Sequence, residues 1–327
     1  MPHNLFQDTM AYVGELPWHG LGKRVPASVS AEEMIDAANL DWEVRKVRAS
    51  GARVVGDNPL TYDRYMIVRE PVGEETEDVV LAIVRKYELL QNREAFSFFD
   101  PFIENKWAEF HTAGALGRGE RIWVLTRFIG DMVIAGDDRI ERYLLLSNSH
   151  DGSAAVSIRF TPVRVVCQNT LNLALESRSG ALSVKHTENM PERLARAQAE
   201  QMKRVIDKVF ADAETLFGRM ALYRIRANDT ERFLELLFPR TELQKKERVE
   251  PQRWKRITTI LEDPTITPSK TKDTLWALYN AIVRDEDYRQ SGAEASDSRL
   301  NRIWFGSGNN LKLKTLRAAQ QWMGIAA

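Results

Sequence analysis

Cysteine is almost absent from this chain: Cys167 stands alone among 327 residues. A lone thiol excludes an internal disulfide framework and any cysteine-rich zinc site, and it fits a reducing compartment. Net charge is absent as well, with 46 Lys and Arg against 46 Asp and Glu. That balance argues against a broad basic surface that would drive salt-dependent nucleic-acid binding, though not against a local basic groove. No apolar run approaches the roughly 20 residues needed to cross a bilayer. The opening Met-Pro-His-Asn-Leu-Phe lacks the basic-then-apolar order of a secretory signal. The expected setting is cytoplasmic, with no membrane contact.

Catalytic motifs are missing too. The five histidines, His3, His19, His111, His150 and His186, show no metalloprotease spacing, and no His-x-Glu is followed by paired cysteines. There is no Walker A sequence. Gly114-Ala-Leu-Gly117-Arg-Gly119 is glycine-rich but precedes a strand, so it cannot open a helix onto a phosphate. No metal and no cofactor are expected, and a binding protein is favoured over an enzyme. Carboxylates converging from distant segments, as in a metal-dependent nuclease or hydrolase, form a less favoured class.

What is present reads as α+β. Ser30 with Glu33 forms a capping box before Met34 and Ile35. Asp41–Arg48, Tyr62–Arg69 and Val79–Arg85 read as strands, and Asn92 as the cap of a helix bearing Phe96 and Phe99. Arg121–Ile129, Glu141–Ser147 and Ala154–Phe160 alternate as strands, the last two joined by the turn His150-Asp-Gly-Ser153, where His150 reads as solvated. Beyond Gly180 helical periodicity dominates, with a long helix from Pro191 to about Arg226, another begun by Asp229, and apolar-faced helices at 271–283 and from 311. The expectation is an antiparallel β-hairpin sheet packed on helices over 1–180, followed by a mainly helical region over 181–327.

The segment from Phe160 to Leu175 places Arg164, Cys167, Gln168, Asn169, Thr170 and Asn172 among aliphatics. It reads as a strand followed by a helix over 165–176. An unpaired buried amide costs roughly 1–3 kcal/mol, so the segment carries a satisfied polar network or lines a site. Cys167 reads as a buried thiol beside Arg164. Trp18 and His19, between Pro17 and Gly20, form a second candidate network, with Trp18 plugging a core. Together Trp18, His19, Cys167, Gln168, Asn169 and Asn172 are the ligand-or-structure set.

A nucleic-acid surface is the sharper functional expectation. Arg118, Arg121 and Arg127 flank Trp123 and Phe128, with Arg159 and Arg164 following. Cations beside aromatics on a sheet suit backbone tracking and base stacking, with Trp123 as the stacking ring unless alternation places it inward, in the core. Lys245 and Arg253, in a basic run with Trp254, add phosphate contacts. Ordinary solvated strand edges would look the same.

The chain resembles a phage- and plasmid-associated family of unknown function, DUF932. The residues that carry this are Met10-Ala-Tyr-Val-Gly-Glu-Leu-Pro-Trp-His-Gly-Leu-Gly22, Leu40-Asp-Trp42, Tyr87, Gln91-Asn92 and Pro162-Val-Arg-Val-Val-Cys-Gln-Asn-Thr-Leu171, with Thr274–Ala281 and Phe305-Gly306. The resemblance implies a mobile genetic element. It invites a topological analogy with single-strand annealing recombinases, in which a hairpin sheet packs on a long helix. The expected partners are single-stranded DNA and, for annealing, further copies of the chain in a homo-oligomer. The alternative is a structural or host-protein-binding role without nucleic acid.

Overall fold

The computed structural model describes residues 5–15, 20–55, 58–164, 169–170, 181–184, 186, 199–288 and 299–325. They are mixed α and β, with a mainly helical C-terminal region. They form two compact units. The first takes Met1–Ile129, Leu144–Arg159 and Ala181–Arg204; the second takes Gly130–Tyr143, Phe160–Gly180 and Val205–Ala327.

Unit 1 holds two sheets. The larger has β1 (Leu5–Val13) between a parallel β2 (Lys23–Val25) and an antiparallel β6 (Ala108–Leu116). β7 (Arg121–Ile134) follows β6, then β8 (Asp138–Ser149), β9 (Val156–Phe160) and β12 (Ala181–Val184). β7 carries buried residues on both faces, from Ile122 through Thr126, as a covered strand should. Trp123 is fully buried. Its ring occupies the space a side chain at residue 114 would need, since a Cβ there would collide with the indole. Gly114 is thus a packing glycine within β6, while Gly117 and Gly119 take positive φ in the turn that follows.

Helices α1 (Ala31–Ala37), α2 (Asn92–Ser97) and α3 (Asp100–Glu104) belong to the same unit. The Ser30–Glu33 capping box is present. Gln91, not Asn92, caps α2, which leaves Asn92 buried at its first turn. Phe96, Phe99, Phe102, Phe110 and Phe128 pack as tilted and edge-on pairs between these helices and the sheet.

The second sheet is β3 (Val44–Val55), β4 (Asn58–Arg69) and β5 (Val79–Val84), all antiparallel. β3 and β4 pair along their whole length, from Val44 opposite Arg69 to Val55 opposite Asn58. Twelve pairs make this ribbon, and the valines, Ile67, Thr61, Tyr62 and Tyr65 among them are residue types that suit a pleated surface. It is longer than either strand expected from alternation.

Unit 2 contains the ends of β7 and β8, with β10 (Val163–Arg164) on β8 and β11 (Asn169–Thr170) on β10. The helix expected over 165–176 is therefore corrected at Asn169 and Thr170, which form a strand; the rest of it lies outside the described residues. The helices are α4 (Ala199–Leu222), which belongs to this unit from Val205 onward, α5 (Ala227–Leu237), α6 (Glu242–Glu247), α7 (Gln252–Glu262), α8 (Leu275–Tyr288), α9 (Arg299–Trp304) and α10 (Ser307–Trp322). α8 is buried nearly all round, as a helix apolar on every face must be. Its last turn adds Asp285, Glu286 and Asp287, all buried and met by cations: Arg253 and Arg256 from α7, Arg302 from α9 and Lys312 from α10. Lys312 is itself buried against Asp287, and desolvation pulls its pKa below the usual lysine value.

Candidate nucleic-acid interface

The base of the β3–β4 ribbon is pinned by a buried cation. Arg69, the last residue of β4, has no exposed surface. Its guanidinium donates to both carboxylate oxygens of Glu75 at 2.7 and 2.8 Å, to the Glu70 carbonyl at 2.6 Å and to the Arg118 carbonyl at 2.8 Å. It also lies over the Phe6 ring, 4.7 Å from its centroid. A buried charge is tolerated when its donors are used in this way. The bonds from Arg69 hold the Glu75 carboxyl below the usual range.

Above that anchor the ribbon is basic. Residues 44–68 contain five Lys and Arg against two Asp, in a chain whose total charge is zero. Register puts Lys46 and Arg48 on one face with Tyr65, and Arg45 and Arg64 on the other. Arg53 lies further out on β3, opposite Leu60. Arg45, Lys46 and Arg48 are exposed. Lys46 sits 4.6 Å from the Tyr65 ring centroid and donates to the Tyr87 carbonyl, while Arg45 makes a two-pronged pair with Asp78. The turn at Arg118, exposed at its side chain, abuts the ribbon base through Arg69.

The arginines expected from the sequence fall as follows. Arg118 is bonded to Glu120, and Arg121 reaches Ser153 at 3.3 Å. Arg127 lies opposite Glu109 across β6 and β7. Arg159 is half-buried on β9, and desolvation, then the nearby Arg121 charge, lower its pKa. These four share unit 1. Arg164, Lys245 and Arg253 belong to unit 2, where Arg253 is spent on Asp285 and Glu286 and Lys245 pairs with Glu242. Trp123 is corrected: its ring is sealed under β6 and cannot stack a base. Trp254 is likewise buried, donating to the Phe238 carbonyl at 3.1 Å. Trp18, His19, Cys167, Gln168 and Asn172 lie outside the described residues, and Asn169 is placed on β11. Sequence reasoning passed over Arg48, Arg53 and Arg64; a running charge count would have found them.

A second polar constellation stands within unit 1. His150, expected in solvent, is fully buried, because its backbone N–H bonds the Glu120 carbonyl and its ring sits edge-on to Trp42 at 5.4 Å. Asn92 donates through Nδ2 to the carbonyls of Leu40 and Trp42, which leaves its Oδ1 to accept from His150 Nε2 at 3.0 Å. The Asn148 amide, which donates to the Leu90 carbonyl, faces His150 Nδ1 at 3.4 Å. The ring is thereby fixed as the neutral Nε2–H tautomer, with a donor already aimed at its other nitrogen. Burial first, then His186, push its pKa down to about 3. Tyr87 stacks on His186 at 4.2 Å and donates to the Ser149 carbonyl; burial, then Asp151, raise its pKa, so the phenol stays protonated. Asn92, Asn148, His150, Tyr87 and His186 are all buried, and the network ties α2 to the β8–β9 turn. Among the described residues no group of three His, Cys, Asp or Glu is placed to hold a metal ion. No described helix is long and apolar enough to cross a membrane.

The profile of a family described as Domain of unknown function (DUF932) matches residues 80–304. The chain belongs to that family. None of the curated proteins and none of the solved structures matches it. The DUF932 match takes in Tyr87, His150 and His186 and the α8 acids with Arg253, Arg256 and Arg302, while the basic ribbon precedes it and Lys312 follows it.

Proposed function

We propose that this DUF932 protein binds single-stranded nucleic acid, with the β3–β4 ribbon as its principal contact surface. The observation that carries the reading is the concentration of positive charge on that ribbon in an otherwise neutral chain. Phosphate neutralisation supplies most of the affinity in such binding, so local charge counts for more than the total. Arg48, on the face that carries Tyr65, and Arg64, on the opposite face, are the assigned backbone contacts, with Arg53 further along the ribbon opposite Leu60. Arg118, at the ribbon base, and the Arg121–Arg159 pair on the sheet extend the surface along unit 1. The ribbon gives no base-edge code, so the binding is tolerant of sequence. Placement on a phage or plasmid and a role in annealing are consistent with this activity and stand or fall with it.

Gel-shift titration of a labelled single-stranded oligonucleotide tests it. Replacing Arg48, Arg53 and Arg64 with alanine is expected to weaken binding at least tenfold, while Arg121→Ala with Arg159→Ala weakens it less. Equal binding by wild type and the ribbon variant removes the assigned surface. No binding by wild type at low salt removes the activity and favours the protein-interaction alternative.

A further inference from the structure

The neutral total hides a second segregation of charge. Residues 70–84 contain five Asp and Glu and no Lys or Arg, whereas residues 299–327 contain five Lys and Arg and no Asp or Glu. We propose that copies of the protein associate head to tail, the acidic β4–β5 turn of one copy seating on the α5–α10 groove of the next.

The turn is built to present charge. Glu75 and Asp78 are held by Arg69 and Arg45, which fixes its shape. Glu74 and Glu77 are exposed and make no ion pair among the described residues. Directly after them Val80 and Ile83 are 42 and 66% exposed, an apolar step beside the acids. The receiving surface is a groove of about 480 Å³ between α5 and α10. Leu236, Leu237, Leu313 and Ala318 give it an apolar floor, Lys314 and Arg317 stand at its side, and no acid lines it. Leu236 is 53% exposed there. An apolar floor suits Val80 and Ile83 better than it suits a phosphate chain, so the groove fits the acidic turn rather than nucleic acid. The two surfaces differ, so the contact is heterologous and repeats, closing into a ring or running on as a filament. A chain of zero net charge offers no long-range repulsion against this. The inference stands apart from nucleic-acid binding, since neither surface includes Arg48, Arg53 or Arg64.

Light scattering of the full-length protein at about 0.05 M and about 0.5 M salt reads it. The expected result is a mass above the monomer at low salt that falls at high salt. Lys314→Glu with Arg317→Glu, and separately Glu74→Lys with Glu77→Lys, should each reduce association at least tenfold. An equimolar mixture of the two variants should restore it, because each then offers what the other lacks. Lys314→Glu alone, with an unchanged melting curve, guards against a misfolded double variant. A monomer at both salt levels overturns the proposal. So does an oligomer indifferent to both charge reversals, or a loss that mixing fails to restore. Lower oligonucleotide affinity in the Lys314 and Arg317 variant at unchanged mass would assign the groove to nucleic acid instead.

Discussion

His150 gives the fold a measurable sensitivity to acid. In the folded protein Asn92 accepts from one ring nitrogen and the Asn148 amide is aimed at the other, so a second proton has no acceptor to meet. Burial and His186 hold the folded pKa at about 3, against a slight opposing pull from Asp151. In the unfolded chain the same ring titrates near the ordinary value of about 6.5. The folded value is the lower one, so the unfolded state binds more protons. Stability is then complete above about pH 6.5 and is lost as pH falls towards the folded pKa, at about 1.4 kcal/mol per pH unit for each such group. Between about pH 7.5 and about pH 5 this comes to roughly 2 kcal/mol from His150 alone. His111, whose pKa is pushed down to about 4 by burial and Arg127, adds a similar amount, and His186 shifts in the same direction. Urea unfolding across this range measures the slope. His150→Gln costs stability at every pH through the lost ring packing, but it also removes one site's share of the slope. A wild-type-minus-variant difference that stays flat from about pH 7.5 to about pH 5 would refute the reasoning.

Three further substitutions probe the packing. Gly114→Ala drives a methyl into the Trp123 ring and should cost roughly 1–3 kcal/mol by urea unfolding; a neutral result would mean that β6 and β7 can part without penalty. Glu75→Ala strips Arg69 of its carboxylate and should cost roughly 2–3 kcal/mol, less than a fully buried pair because Glu75 is partly exposed. An unchanged melting temperature would show that the Glu70 and Arg118 carbonyls suffice to hold Arg69. Lys312→Met strands Asp287 in the interior and should cost roughly 3–5 kcal/mol, with Asp287→Asn in the same chain recovering part of it. A double variant no better than the single one would deny the coupling.

Local chemistry was legible in the sequence wherever neighbours in the chain settle it. The Ser30–Glu33 capping box needs only four residues, and the β8–β9 turn is fixed by Asp151, Gly152 and Ser153. Burial was not legible, because distant strands decide it. His150 occupies a polar turn in sequence yet is covered by Trp42 and Asn92, which alternation cannot foresee. Alternation sets Trp123 and Leu125 against Ile122, Val124 and Thr126 without telling which face is inward, and β7 is covered on both. Asn169 and Thr170 sit in a mixed polar and aliphatic segment whose period fits helix, and pairing with Val163 and Arg164 makes them strand. The candidate interface was half visible: the neutral total discouraged a basic surface, although the charge was already segregated along the chain.

The central claim is that the ribbon neutralises phosphates. Its most direct test is the salt dependence of single-stranded DNA binding, followed by fluorescence anisotropy, for wild type and the Arg48, Arg53 and Arg64 alanine variant. On single strands each lost phosphate contact should flatten the slope of log K against log salt by about 0.7, so three lost contacts flatten it by roughly 2. A variant with the wild-type slope and affinity would contradict the account.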